Sequence, residues 1–315
     1  MNPKLLLRTF SNPLVISLFS VSPLLGHEKF HVPAEDTAET EEIVGKSEVE
    51  ITVEGDKRVI VANGLPDHLP GSFPNRRNPH TITSQKYRFE IPLNPVKLES
   101  PKPHGRTIVG VGLNGVVFDP GTAETWNGDR TWIYEALTSK EDLGLDYSHA
   151  HVQPSGAYHY HSVPNGLYEK LGVSTERMTL IGWAADGFPI YAGFGYSDAA
   201  DEKSPVKVLK SGYKLRKAER PGEPDGPGGE MDGSFASDYE WSEEQGDLDM
   251  CNGREGVTPE FPEGTYYYVV TEDFPFIPRF FAGEPSSDFE KKGQGGGGRN
   301  GRRQGMGGSV GPRGR

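Results

Sequence analysis

Alternation of apolar and polar residues with a period of two recurs along the chain and predicts strands rather than long helices. Residues 48–53 and 57–61 alternate on either side of Glu54-Gly55-Asp56, and Tyr87-Arg88-Phe89-Glu90-Ile91 alternates until it meets Pro92. Residues 107–113 and 116–118 flank Asn114-Gly115, the strongest short hairpin signal in the sequence. The same reasoning predicts strands at 158–161, 179–183, 189–192 and 265–271, with short helices at 166–171 and 132–137. Residues 217–247 contain Pro221-Gly222-Glu223-Pro224-Asp225-Gly226-Pro227-Gly228-Gly229, which predicts a long flexible loop or insertion. The predicted fold is mainly β. A single large antiparallel domain over 48–285, sandwich- or barrel-like, carries short helices and long loops.

Composition agrees with that picture. Of 315 residues only 34% are hydrophobic, while Gly (41) and Pro (26) are abundant, which favours turns over long helices. The formal net charge is −12, unevenly placed: between residues 27 and 290 stand 24 basic against 45 acidic residues. A body so acidic is a poor nucleic-acid binder and suits cations or solubility outside the cell. Residues 27–47 are acidic and aperiodic and read as a solvated linker. Residues 286–315 form a tail rich in Gly and Arg, predicted to be disordered. Such a tail can bind RNA, but in an exported protein its attraction is to acidic polymers, the envelope surface or the acidic body itself.

The amino terminus reads as a cleaved secretory signal over 1–26. Lys4 and Arg8 form its basic region, an apolar stretch runs from Leu14 to Leu25, and cleavage is placed near Gly26. Twelve apolar residues interrupted by Pro23 are too short for a bilayer, which needs ~20. The expected localisation is therefore periplasmic or extracellular. With Cys251 the only cysteine, no internal disulfide is possible, and the residue reads as a buried small side chain, thiolate ligation being the alternative.

Against this background one run carries chemistry: His149-Ala150-His151-Val152-Gln153-Pro154-Ser155-Gly156-Ala157-Tyr158-His159-Tyr160-His161. His-x-His on a strand puts both imidazoles on one face. The turn decides whether the two pairs share that face. A two-residue loop would oppose His151 to Tyr158 and split them. A three-residue loop, for which Pro154 and Gly156 are suited, opposes His151 to His159 and His149 to His161. Opposed Cβ atoms lie ~5 Å apart, so four neutral imidazoles could hold a transition metal: copper, zinc or iron. The competing reading is a metal-free histidine–tyrosine hydrogen-bond network.

The segment Pro154 to His161 also resembles the defining motif of the YHYH domain family. So do Ile181-Gly182-Trp183-Ala184-Ala185-Asp186-Gly187-Phe188-Pro189-Ile190-Tyr191, Leu248-Asp249-Met250-Cys251-Asn252-Gly253-Arg254, and Pro259-Glu260-Phe261-Pro262-Glu263-Gly264-Thr265-Tyr266-Tyr267-Tyr268. The resemblance covers about 105–283. It implies an exported bacterial protein and brings no settled activity with it. It supports Tyr158, His159, Tyr160, His161 and His151, while His149 rests on the hairpin argument. At Tyr267 the chain departs from relatives that carry histidine there, so a ligand at that place would be missing.

Other residues have two readings each. Asp186 before Gly-Phe-Pro is a turn-capping residue or a carboxylate reaching the histidines, and Asp146 likewise. Asp249 and Arg254 read as an ion pair fixing a loop. Asp119, Glu124 and Asp129 around Trp126 lack the spacing of a calcium loop. His27, behind the cleavage point, is a minor copper candidate. No phosphate loop, serine-hydrolase elbow or His-Glu-x-x-His helix is present. The expected metal ligands are His149, His151, His159, His161 and Asp186. The alternative functions are a metal-dependent enzyme, or a glycan- or envelope-binding module with Trp126, Trp132, Trp183, Tyr158 and Tyr160 as stacking platform.

Overall fold

The computed structural model describes residues 45–291. The expected signal with its cleavage point, His27, nearly all of the acidic linker and all of the tail beyond Lys291 lie outside the described residues.

Strands β1 (Val49–Glu54), β2 (Lys57–Ala62) and β3 (Tyr87–Pro92) form a three-stranded antiparallel sheet. Gly55, with φ at +66°, closes the β1–β2 turn, and the pairs from Val49–Ala62 to Glu54–Lys57 stay in register. On β3 the alternation does as predicted: Phe89 and Ile91 are buried. Next comes β4 (Lys97–Pro103), which pairs with the final strand, β17 (Phe280–Gly283).

Between them lies an eight-stranded sheet. It takes β5 (Gly110–Gly112), β6 (Val117–Phe118), β7 (Ala150–Val152), β8 (Tyr158–Tyr160), β9 (Leu180–Ala184) and β10 (Pro189–Tyr191). Two small ribbons intervene, β11 (Phe194–Tyr196) with β12 (Val206–Val208) and β13 (Tyr213–Leu215) with β14 (Tyr239–Trp241). Strands β15 (Gly253–Gly256) and β16 (Thr265–Val269) complete it. The order across the sheet is β15-β16-β10-β9-β5-β6-β8-β7.

Mainly β is correct, with long loops and one described α-helix, α1 (Asn165–Leu171). Two strand pairs depart from the expected antiparallel arrangement. β6 runs parallel to β8, and β10 to β16, so the sheet is mixed, with β15 and β7 as open edges rather than a closed barrel. Both parallel pairs join segments distant in sequence through crossovers, and period-two alternation carries no information on strand direction. The helix predicted at 132–137 is absent. Its residues are drawn into isolated bridges, Thr125 with Ile133 and Tyr134 with Phe235. Nor is 217–247 a free loop: Arg220 grips Asp238 through Nε (2.8 Å) and Nη2 (2.6 Å), and also holds Asp232.

The large sheet is apolar on both faces. On one, Tyr158, Tyr160, Val152, Phe118 and Ile181 join the main core. On the other, Val111, Val117 and Trp183 pack against Ile60, Phe89 and Ile91 of the small sheet. At roughly 1.5–3 kcal/mol for each fully buried large apolar side chain, this second layer is a major source of stability. It also fixes the face on which the histidines of β7 and β8 project.

Candidate metal centre

The hairpin takes the three-residue turn. Gln153 N–H donates to Ala157 O (2.9 Å), Gly156 adopts φ +84°, and His151 stands opposite His159. Tyr158 and Tyr160 face the core, so His159 and His161 face the other way, toward His151. His151 Nε2 lies 3.0 Å from His161 Nε2, which lies 2.9 Å from His159 Nε2. These distances are a few tenths short of the ~3.3 Å edge of a tetrahedron with metal–nitrogen bonds of about 2.05 Å.

Proton placement follows from the partners. His151 Nδ1 faces Leu143 O (2.9 Å) and His159 Nδ1 faces Ala157 O (3.2 Å). A carbonyl only accepts, so both Nδ1 atoms carry the hydrogen and both Nε2 atoms present bare lone pairs toward His161. His161 Nδ1 has no partner in either tautomer; a hydrogen on Nε2 would be shared between the two facing lone pairs. A hydrogen on His161 Nδ1 aims three lone pairs at one point. A single cation there matches all three, and His151 and His159 already have the backbone acceptors that orient metal-binding imidazoles. Burial pushes His159 and His161 well below the usual imidazole range, helped by the neighbouring His151, and burial lowers His151 as well. All three are therefore neutral, ligand-ready bases at pH 7.

His149 does not join them. Its backbone opposes His161, whose N–H donates to His149 O (2.8 Å), but its φ is +50°, so alternation breaks at this residue. Its Nδ1 donates to Val163 O at 2.7 Å. Among the described residues the histidine, cysteine and carboxylate ligand atoms that gather within 4.8 Å come from His151, His159 and His161.

Asp186 is also placed elsewhere. Its carboxylate accepts from Tyr268 Oη and Gly283 N–H (2.8 Å) in the Asp186-Gly187 turn, and burial raises its pKa to about 6. Asp146 caps the turn into β7 by accepting from Ser148 N–H (2.8 Å) and Ala150 N–H (3.2 Å). It also takes a proton donor from Tyr158 Oη (2.6 Å). It thereby locks the hairpin from behind. Asp249 and Arg254 do not pair. Asp249 accepts from Tyr266 Oη (3.0 Å), while Arg254 Nε donates to Tyr267 Oη (2.6 Å). Cys251 is buried, and burial pushes its thiol up to about 12, which suits a packed side chain and not a thiolate ligand. Of the aromatic residues offered as a stacking platform, Trp132, Trp183, Tyr158 and Tyr160 are buried, so no exposed row forms from them.

Sequence reasoning weighs Asp119 only as part of a calcium loop and does not place it beside the histidines. Val117 pairs with His159 and Asp119 N–H donates to Tyr160 O (3.0 Å), which carries Asp119 alongside His161 on the same face. Its carboxylate is fully buried, holding Gln153 Nε2 (2.8 Å) and Lys291 Nζ (2.7 Å). The only sequence signal is a carboxylate two residues after Val117, which means nothing until β6 is known to lie parallel to β8.

A family model described as "YHYH protein" matches residues 88–283. The chain belongs to the YHYH family. The matched span begins earlier than the four motifs suggest and takes in β3 and β4. It thus covers the hairpin, the parallel β6 neighbour and the Asp186 turn together. No curated protein and no solved structure matches the chain. Among the described residues no helix is long and apolar enough to cross a membrane.

Proposed function

We propose that this YHYH protein is an exported domain that binds one transition-metal ion through Nε2 of His151, His159 and His161. The observation that carries the reading is the convergence of three buried Nε2 atoms, two of them with tautomers fixed as lone-pair donors by Leu143 O and Ala157 O. Imidazole-only donors suit copper, zinc or iron alike and do not choose among them. Three protein ligands leave a position open, the pattern of catalytic rather than closed structural sites. The export reading is supported by the basic and apolar stretches of residues 1–26 and by the acidic body behind them.

The test is elemental analysis of the untagged, exported protein beside a His159→Ala/His161→Ala variant. About one ion per chain, lost in the variant, is the expected result. No metal in either protein after incubation with each ion would make the histidines a structural network and end the proposal.

A further inference from the structure

Asp119 is the buried ionisable group that the three-histidine reading leaves unexplained. Its Oδ2 is saturated by the Gln153 amide and the Lys291 ammonium, but its Oδ1, equally buried, makes no hydrogen bond, the nearby Gly121 amide doing no more than help hold its charge. Buried carboxylate oxygens without donors are costly and rare, so such an atom points to a ligand. The surroundings agree. Gln153 follows His151 by two residues and lies on its face, so the Gln153–Asp119 hydrogen bond crosses β8 beside His159. The negative charge of Asp119 is felt at His151.

Beside Oδ1 the backbone at Gly121 also passes close to a further imidazole, that of His104. A Cβ at Gly121 would lie 3.2 Å from His104 Cε1 and 3.9 Å from both Asp119 Oδ1 and His104 Nε2. Glycine lets the backbone pass this close to the imidazole, and Oδ1 lies beside that approach.

We infer that Asp119 is a positioning residue: Oδ1 accepts a hydrogen bond from a protic ligand, water or a substrate hydroxyl, at the open position of the ion held by the three histidines. This rests on the three-histidine reading. Lys291 and Gln153 hold the carboxylate in place.

The experiment titrates the full chain loaded with cobalt(II), first with azide and then with imidazole, following the visible spectrum. Asp119→Asn removes a negative charge beside the open position and should tighten azide binding about tenfold, whereas Lys291→Gln leaves that charge uncompensated and should weaken it by a similar factor. The affinity for neutral imidazole should stay within about twofold in both variants, because no net charge is brought in. Opposite shifts for azide alone support the inference. Azide affinities that stay put in both variants would overturn it, and so would loss of cobalt from a folded Asp119→Asn, which would make Asp119 a direct ligand. If Asp119→Asn fails to fold, the half-exposed Lys291→Gln still decides the sign. A wild-type chain that takes up no cobalt, or a His159→Ala variant that binds it equally well, is a distinct result: it removes the three-histidine reading itself, and this inference falls with it.

Discussion

Replacing Asp186 with asparagine separates the turn role of this residue from a ligand role and has a worked sign. The carboxyl is 1% exposed, burial being the main cause that raises its pKa from 3.8 to about 6, against the hydrogen bonds from Tyr268, Gly283 and Phe188 that pull it down. The folded protein therefore holds the proton more tightly than the unfolded chain. Between roughly pH 4 and pH 6 the native state binds more protons, so stability from this residue is fully present below pH 3.8 and is lost as pH rises through about 6. A shift of that size corresponds to about 3 kcal/mol at 1.36 kcal/mol per unit. Asparagine cannot titrate. The stability of the wild type minus that of Asp186→Asn should thus fall by about 2–3 kcal/mol from pH 4 to pH 6.5 and then stay level. Urea unfolding at half-unit pH steps, in chelator so that metal does not contribute, measures it, and contributions from Asp146, Asp119 and Glu135 cancel in the difference. A difference that rises with pH, or stays flat, refutes the assignment. In the same variant the metal content should remain that of the wild type.

Three further outcomes follow from the same contacts. His149→Ala should keep the full metal content, because its ring is turned to Val163 O and not to the three Nε2 atoms; loss of metal equal to that in His159→Ala would contradict it. Tyr158→Phe takes away one of the donors to the buried Asp146 carboxylate and should cost about 1–3 kcal/mol in chemical denaturation, an unchanged midpoint counting against the hairpin lock. Arg220→Met leaves Asp238 buried without its bidentate partner and should cost about 3–5 kcal/mol, with faster proteolysis inside 217–247 as the local readout; equal stability would mean that the segment does not depend on the clamp.

How much of this was legible in the sequence depends on the range over which each feature is decided. The β7–β8 register was legible, because Pro154 and Gly156 constrain the turn and the turn alone sets which residues oppose. The β1–β2 hairpin was legible for the same reason, whereas β3 was legible as a strand but not as the partner of β2, from which residues 63–86 separate it. The eight-stranded sheet was not, since β6 meets β8 and β10 meets β16 in parallel, and no alternation of residues tells which distant strand lies alongside or in which direction. Asp119 became part of the site only through that parallel neighbour. The fourth histidine failed on a finer point. Four in-phase histidines satisfy period two on paper, but the turn capped by Asp146 puts His149 at a positive φ, and one left-handed residue suffices to rotate a side chain off the shared face. Composition offers a closed four-imidazole cage, and the backbone at a single residue reduces it to three. Three nitrogens with an unsatisfied carboxylate oxygen on the same face form a site with an open side, and an open side is what separates chemistry on a ligand from storage of an ion. The number of imidazoles that converge is thus set by a backbone torsion at His149, not by the count of histidines.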